Sequence, residues 1–159
     1  MANVSDLLAN PSTAEEALRV LRARCDARPD DPRPLLELAS AYDFLDREPE
    51  AAALYRRVET LGLEHLARAD RVRWHVQLGS TLRLLGQLDA SREVLNRGRA
   101  AFPESQAILA FLALTELASG RAAHAAHALL TGLVRSTDPE VEYYRRALTA
   151  YIDGVSPGT

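Results

Sequence analysis

The sequence has one cysteine, Cys25, and its 19 basic residues are all arginine, with no lysine. A single cysteine excludes a disulfide within the chain and suits a reducing compartment. No run of about 18 apolar residues is free of charge, and the N-terminus lacks the basic start and apolar centre of a signal peptide. These absences predict a cytoplasmic protein with no membrane partner.

The charge balance is slightly acidic, with a formal net charge of -3 and an isoelectric point near 5.8. A nucleic-acid-binding domain needs a net basic surface, so no nucleic-acid partner is expected. Hydrophobic residues make up 47% and charged residues 26% of the 159 positions, without a low-complexity run. This composition predicts a single folded domain.

A pattern of leucines and small residues recurs along the chain. The segment 77–98 matches the segment that begins 34 positions later and, less regularly, the one that begins 40 positions earlier. The clearest matches to the later segment are at these positions: Leu78, Gly79, Gly86, Leu95 and Gly98. A fixed period of this size is a repeat signature, and the longer offset indicates six residues inserted between the first two units.

Each unit has the residue pattern of two antiparallel helices of about 14 residues, with small residues where the helices approach. Neither helix can bury its apolar stripe alone, so successive units must stack. The predicted fold is therefore an all-α superhelix of about three helix hairpins. A half repeat precedes the hairpins, and a capping helix follows them.

The predicted boundaries follow the Pro and Gly punctuation. They are an arm at 1–11 with a helical turn over Ser5–Ala9, a half repeat at 12–28, repeats at 32–62, 64–101 and 104–136, a capping helix at 140–152 and a disordered tail at 153–159. Ser12 and Glu15 form a capping-box pattern. The inserted residues are strong helix formers, which predicts that helix 64–85 is the longest. Helix 104–119 is apolar on nearly every side, which predicts complete burial.

The repeat pattern resembles the tetratricopeptide repeat, including the closing prolines Pro29 and Pro103. Within that class, the segments 77–86, 102–103 and 110–114 are similar to the bacterial group 5 tetratricopeptide domain. The similarity extends over about residues 14–151. It implies a helical solenoid with a protein partner, and that family is also associated with dimerisation.

The chain departs from the general repeat at His75, Glu116 and Thr137. The repeat there prefers a bulky apolar residue, an aromatic residue and a proline, respectively. The lysine and asparagine pattern of the chaperone-tail carboxylate clamp is also absent. That class of partner is therefore disfavoured.

The resemblance implies a concave groove lined by the first helix of each unit. The peptide- or protein-binding residues on that face would be Arg33, Glu37, Ser40, Asp43, Phe44, Arg73, Gln77, Ser80, Arg83, Leu114 and Leu117, with Leu36 beside them. Helical spacing independently places four residues on one stripe, three or four positions apart: Arg73, Gln77, Ser80 and Arg83. The groove would thus be polar in its first two units and apolar in the third.

Two interpretations of the charged groove residues remain open. Arg73 and Arg83 could hold a carboxylate or backbone carbonyl of a bound peptide through bidentate hydrogen bonds. Alternatively, Arg83 pairs with Asp43, and Arg73 pairs with Glu37, which would stiffen the stack.

The remaining candidate residues do not indicate chemistry. His124 and His127 have the spacing of two metal ligands, but no third ligand is near in sequence, so no metal or other cofactor is expected. Trp74 is interpreted as a packing residue and Cys25 as an inert small hydrophobe. No nucleotide loop, nucleophile motif or carboxylate dyad is present, which predicts that the protein is not an enzyme.

Two functions are therefore compatible with the sequence. The first is a non-catalytic scaffold that binds a protein segment in the groove. The second is a homodimer formed through the apolar third repeat and the C-terminal helix. They differ in whether Tyr143, Tyr144 and Leu148 fold back over helix 104–119.

Overall fold

The computed structural model describes residues 11–155, which form eight α-helices and one short 3-10 turn. The helices are α1 (Pro11–Ala27), α2 (Pro32–Phe44), α3 (Glu48–Leu61), α4 (Arg68–Leu84), α5 (Leu88–Ala101), α6 (Gln106–Ala118), α7 (Ala122–Leu133) and α8 (Pro139–Val155). The 3-10 turn is Leu63–His65. No strand occurs in residues 11–155.

The helices form three consecutive hairpins, in which α2 packs on α3, α4 on α5 and α6 on α7. Helix α1 packs on α2 as the half repeat, and α8 packs on α7 at the other end. The first helices of the hairpins also contact one another in order, because α4 lies against both α2 and α6. The predicted superhelical array of hairpins is confirmed.

Local sequence explains the start and the end of the first hairpin. The Asp31 carboxylate accepts a hydrogen bond from the backbone N–H of Arg33 at 3.1 Å, and Pro32 occupies the first helical position, where no donor is needed. Gly62 has a φ of 101°, which a residue with a Cβ rarely adopts, and it ends α3.

The core consists of two clusters of buried side chains along the array. The first joins α1 to α4 through residues such as Leu18, Leu36 and Tyr55. The second, around Leu95 and Ile108, joins α5, α6 and α7. The sequence assigned Leu36 to the groove, but its side chain is fully buried in the first cluster, so that assignment was wrong.

The six inserted residues lengthen α4 as predicted, to 17 residues against 13 in α2 and in α6, but the helix begins at Arg68 and not at residue 64. After the 3-10 turn, Leu66 is buried in the first core cluster, and Ala67 is extended with a ψ of 155°. The prediction that this helix is the longest was wrong, because α4 has 17 residues, as do α1 and α8. The buried side chain of Leu66 holds the connection between α3 and α4 against the core, so the chain turns before α4 begins.

Complete burial of α6 was also predicted wrongly. Its residues Ile108 and Leu109 are at most 2% exposed, but Leu114 and Leu117 are 44% and 52% exposed. In a stack of hairpins, each first helix is covered by its partner and by its neighbours, but its groove side stays open.

The ends of the array differ slightly from expectation. Helix α1 begins at Pro11, so Ser12 lies inside the helix rather than preceding it. Helix α8 continues to Val155, so residues 153–155 are helical rather than part of a disordered tail. The predicted turn at Ser5–Ala9 lies outside the described residues, as does the rest of the predicted tail.

Trp74 is fully buried, and its indole N–H donates a hydrogen bond to the carbonyl oxygen of Tyr55 at 2.8 Å. The bond connects α4 to α3, the second helix of the preceding unit. The expected packing role of Trp74 agrees with this position.

His75 is 6% exposed, and its Nδ1 lies 3.0 Å from the carbonyl oxygen of Val94. Its ring is edge-on to Trp74 and Phe102. Burial lowers the pKa of His75 below its ordinary value, and the hydrogen bond to Val94 partly opposes this shift.

The lowered pKa of His75 predicts acid sensitivity. At a pH between the pKa of His75 in the folded protein and its unfolded value of about 6.5, the unfolded chain binds more protons than the folded one. The free energy of unfolding is therefore highest above about pH 6.5 and decreases as the pH falls. Urea unfolding between pH 5.5 and 7.5 measures this, with at most about 1.4 kcal/mol per pH unit from one proton. His75→Phe should flatten the pH dependence, whereas an unchanged slope would contradict the assignment.

Candidate functional site

Four large apolar side chains are exposed near the C-terminal ends of α2, α4 and α6, the helices that the sequence predicts to line the groove. Phe44 is 55% exposed, Leu84 57%, Leu114 44% and Leu117 52%. Phe44 and Leu84 are the last residues of their helices, and Leu114 and Leu117 lie in the last five residues of α6. We refer to these four residues as the apolar edge. Three successive units therefore contribute apolar surface at corresponding ends of their first helices.

The opposite ends of α2 and α4 carry arginines. Arg33 Nε donates a hydrogen bond to Asp31 at 3.0 Å, and this contact holds the pKa of the Asp31 carboxyl below its ordinary value. Arg73 lies 3.3 Å from Asp70. Both guanidinium groups are largely exposed, so each pair contributes little to stability.

Between these ends, polar side chains connect α2 directly to α4. Ser40 Oγ lies 2.9 Å from Gln77 Oε1 and 2.8 Å from the carbonyl oxygen of Leu36, so these acceptors share its proton. Thr81 Oγ1 donates to Asp43 Oδ1 at 2.8 Å. Ser40, Gln77 and Asp43, which the sequence assigned to ligand binding, thus have partners within the array. We call them, with Thr81, the polar seam.

The seam is partly shielded from water. Burial raises the pKa of Asp43 above its ordinary value, and the hydrogen bond from Thr81 opposes the rise. Tyr55, next to the polar seam, is fully buried. Its hydroxyl has no hydrogen-bond partner of normal geometry among the described residues. Its pKa is raised, mainly by burial and also by the Asp43 carboxylate.

The internal ion pairs proposed from the sequence do not form. Glu37 lies 3.3 Å from Arg24 of α1, and Arg73 is paired within its own helix with Asp70. Asp43 instead accepts the hydrogen bond from Thr81. The pairing of Arg73 with Glu37 and of Arg83 with Asp43 was therefore wrong, because nearer partners satisfy the other three residues.

Arg83 is left without an ion pair in the described part of the chain. Its Nε is buried and has no hydrogen-bond partner. A buried donor without a partner is costly, because it has lost its water without replacing it. Arg83 directly precedes Leu84 of the apolar edge, so an unused cationic donor lies next to exposed apolar surface. Ser80, one turn earlier, is half-buried.

The C-terminal helix does not close the groove. Helix α8 packs on α7, and its residues Tyr143 and Tyr144 are 81% and 59% exposed. Their rings contact each other edge to face, with centroids 4.8 Å apart. Leu114 and Leu117 remain exposed, so an apolar surface is left for a partner.

Sequence reasoning missed a second concavity, which lies between α5 and α7 and contains His124 and His127. Glu116 lies at its base, with its side chain 6% exposed. The replacement of an aromatic residue by Glu116 was the available signal. In the part of the chain that the structure describes, no three potential metal ligands cluster together. Likewise, none of the described helices is long and apolar enough to cross a membrane.

Comparisons with known proteins agree with this architecture. The chain is similar in structure to a MamA double mutant, "MamA RS-1 ArsTM double mutant", with a TM-score of 0.62, 19% identity and coverage of 100% of this chain and 99% of that one. It is also similar to MamA 41-end from Desulfovibrio magneticus RS-1, with a TM-score of 0.62, 19% identity and coverage of 98% and 96%. At this identity the likeness shows the fold alone. No curated protein matches the chain at a significant level.

The family model described as tetratrico peptide repeat matches residues 32–155, which is most of the chain. The match begins at the first residue of α2 and includes all three hairpins and α8. The chain therefore belongs to the tetratricopeptide repeat family, whose arrays are scaffolds for protein–protein interaction.

Proposed function

We propose that the protein is a non-catalytic scaffold that binds a segment of a partner protein in its concave groove. The observation that carries this proposal is the apolar edge, whose four large side chains are 44–57% exposed on three consecutive units. Exposed large apolar side chains at corresponding ends of neighbouring helices favour a partner that covers them. The partner segment would place its own apolar side chains on Phe44, Leu84, Leu114 and Leu117.

The arginines of the groove indicate that the partner segment carries acidic residues. Arg83 lies beside the apolar edge and has no ion pair in the described residues, and Arg33 and Arg73 supply exposed guanidinium groups at the opposite edge. The aspartate partners of Arg33 and Arg73 are near in sequence, and both arginine side chains are exposed, so an incoming carboxylate can compete for them. An amphipathic helix can bind in the groove with its apolar residues on the apolar edge and its acidic residues on Arg33 and Arg73.

The proposal predicts that two acidic substitutions abolish binding. Helical peptides selected from a random display library on the purified protein serve as probes. Leu114→Asp combined with Leu117→Asp should weaken their binding by at least about 100-fold, or about 2.7 kcal/mol, because carboxylates replace the apolar contact surface. Isothermal titration measures the affinity, and circular dichroism checks that the melting temperature is retained.

The matched control is Leu129→Asp with Leu133→Asp on α7. These leucines are 49% and 44% exposed, close to the values of the groove pair, but they belong to the second helix of the hairpin. Peptide affinity should stay unchanged in this control. Equal losses in both double variants, or none in either, would contradict groove binding.

A separate prediction concerns Arg83. Arg83→Met keeps the apolar stem and removes the donor, so peptide affinity should fall by about tenfold, which corresponds to about 1.4 kcal/mol. The melting temperature should not fall, because no internal partner of Arg83 is lost. A clear loss of stability with unchanged affinity would instead assign Arg83 a structural role.

Self-association is the second candidate function, and the exposed tyrosine pair favours it. Tyr143 and Tyr144 project from α8, next to α7 with its exposed Leu129 and Leu133. This apolar end of the array can pair with the same surface of a second copy, as in an isologous dimer. Sedimentation equilibrium over a hundredfold concentration range tests it. Tyr143→Ser with Tyr144→Ser should then shift the equilibrium to monomer and leave peptide binding unchanged.

A further inference from the structure

The second concavity lies on the side of the array formed by the second helices of the hairpins, opposite the groove. It has a volume of about 270 Å³ and lies between α5 and α7 above α6. Its charged and titratable lining comprises Arg92, Arg99, Glu116, Arg121, His124 and His127. Three arginines thus surround a space that contains one carboxylate.

Glu116 neutralises only part of this charge. Its carboxylate lies 3.1 Å from Arg92 Nε and 3.2 Å from Arg121 Nε, and its side chain is 6% exposed. Arg92 has further partners in Asp89 and Ser119, so it is well satisfied. The carboxylate is hydrogen-bonded to Arg92 and lies within ion-pair distance of Arg121, although its Oε2 is buried without a hydrogen bond. With three arginines and one carboxylate, the cavity keeps a net positive charge.

Several polar groups in the cavity have no partner among the described residues. Arg99 makes no ion pair or hydrogen bond in residues 11–155, and only Nε of Arg121 is paired. Nδ1 of His127 is buried without a partner. Helix α7 begins at Ala122, beside the cavity, and has no acidic residue in its first turn to offset the positive end of its dipole.

We infer that this cavity binds a phosphoryl group. A phosphoryl dianion presents three acceptor oxygens in a tetrahedral arrangement, which suits donors that approach from α5, from Arg121 and from α7. A planar carboxylate is matched by one or two arginines, whereas this cavity has three. The volume admits a phosphoryl group and a small substituent, and the basic lining disfavours a metal cation.

The test uses inorganic phosphate on the full-length protein. Phosphate should shift the imidazole resonances of His124 and His127 in a saturable manner and raise the melting temperature, whereas sodium chloride at equal ionic strength should do neither. Arg99→Ala should weaken phosphate binding at least tenfold. The control is Arg57→Ala, an exposed arginine on α3 outside the cavity, which should leave binding unchanged.

Arg99→Ala is chosen because Arg99 has no internal partner, so its loss should not unfold the site. O-phosphoserine distinguishes the two sources of the phosphoryl group. If it binds as tightly as inorganic phosphate, the natural ligand is a phosphoryl group carried by a larger molecule. If only inorganic phosphate binds, the natural ligand is the free ion. Non-saturable shifts, an equal response to chloride, or equal affinities of Arg99→Ala and Arg57→Ala would each overturn the inference. None of these readouts depends on peptide binding in the groove.

Discussion

Replacement of Trp74 by alanine is expected to lower the free energy of unfolding by about 3–5 kcal/mol. The indole is fully buried between the first two hairpins, and its N–H bonds to the carbonyl oxygen of Tyr55. Alanine would leave a large cavity and remove that bond. Because domains of this size are stable by only about 5–15 kcal/mol, the variant should be close to unfolding at room temperature.

Urea unfolding followed by far-ultraviolet circular dichroism measures this loss. Fluorescence is unsuitable, because Trp74 is the only tryptophan. Trp74→Phe keeps an aromatic ring without the donor and should cost clearly less. Tyr143→Ala removes an aromatic side chain that is 81% exposed and should cost at most about 0.5 kcal/mol. Similar losses for Trp74→Ala and Tyr143→Ala would show that Trp74 does not join the hairpins.

Glu116→Ala is expected to have the second largest effect, with a loss of about 3 kcal/mol. Removal of one member of a buried ion pair costs about 3–5 kcal/mol, because the other charge stays buried without compensation. Here the lower end applies, since Arg92 keeps Asp89 and Ser119, and the side chain of Arg121 is 40% exposed. Thermal and urea unfolding give the value.

Asp89→Ala is the matched control, because Asp89 contacts the same arginine from a position that is 97% exposed. Its loss should be below about 1 kcal/mol, as for exposed ion pairs in general. If Asp89→Ala destabilised the protein as much as Glu116→Ala, burial would not be the source of the effect. Phosphate should also bind more tightly to Glu116→Gln than to the unmodified protein, since one competing charge is removed.

The repeat register was predictable because it depends on spacing alone. Glycines and leucines at a fixed period define where each hairpin turns. The insertion was the main exception. Its residues favour helix, but the chain forms a 3-10 turn there and buries Leu66 in the core before α4 begins.

The side-chain partners in the groove could not be read from the sequence. Helical spacing placed Ser40, Asp43 and Gln77 on the groove face, but it could not show that they bond across to α2 or α4. For the same reason the sequence could not show that Arg73 does not pair with Glu37, nor Arg83 with Asp43. A charged side chain pairs with whichever partner is nearest in space, and that depends on the neighbouring helices.

By itself, the sequence determined that this chain stacks helix hairpins, because the period of its apolar residues leaves each hairpin unable to bury its own surface. Tertiary structure decided which apolar residues stay exposed, which arginines stay unpaired and where a basic cavity forms between α5 and α7. The physical reason is that periodicity is a property of one helix, whereas exposure and charge pairing depend on the distances between helices.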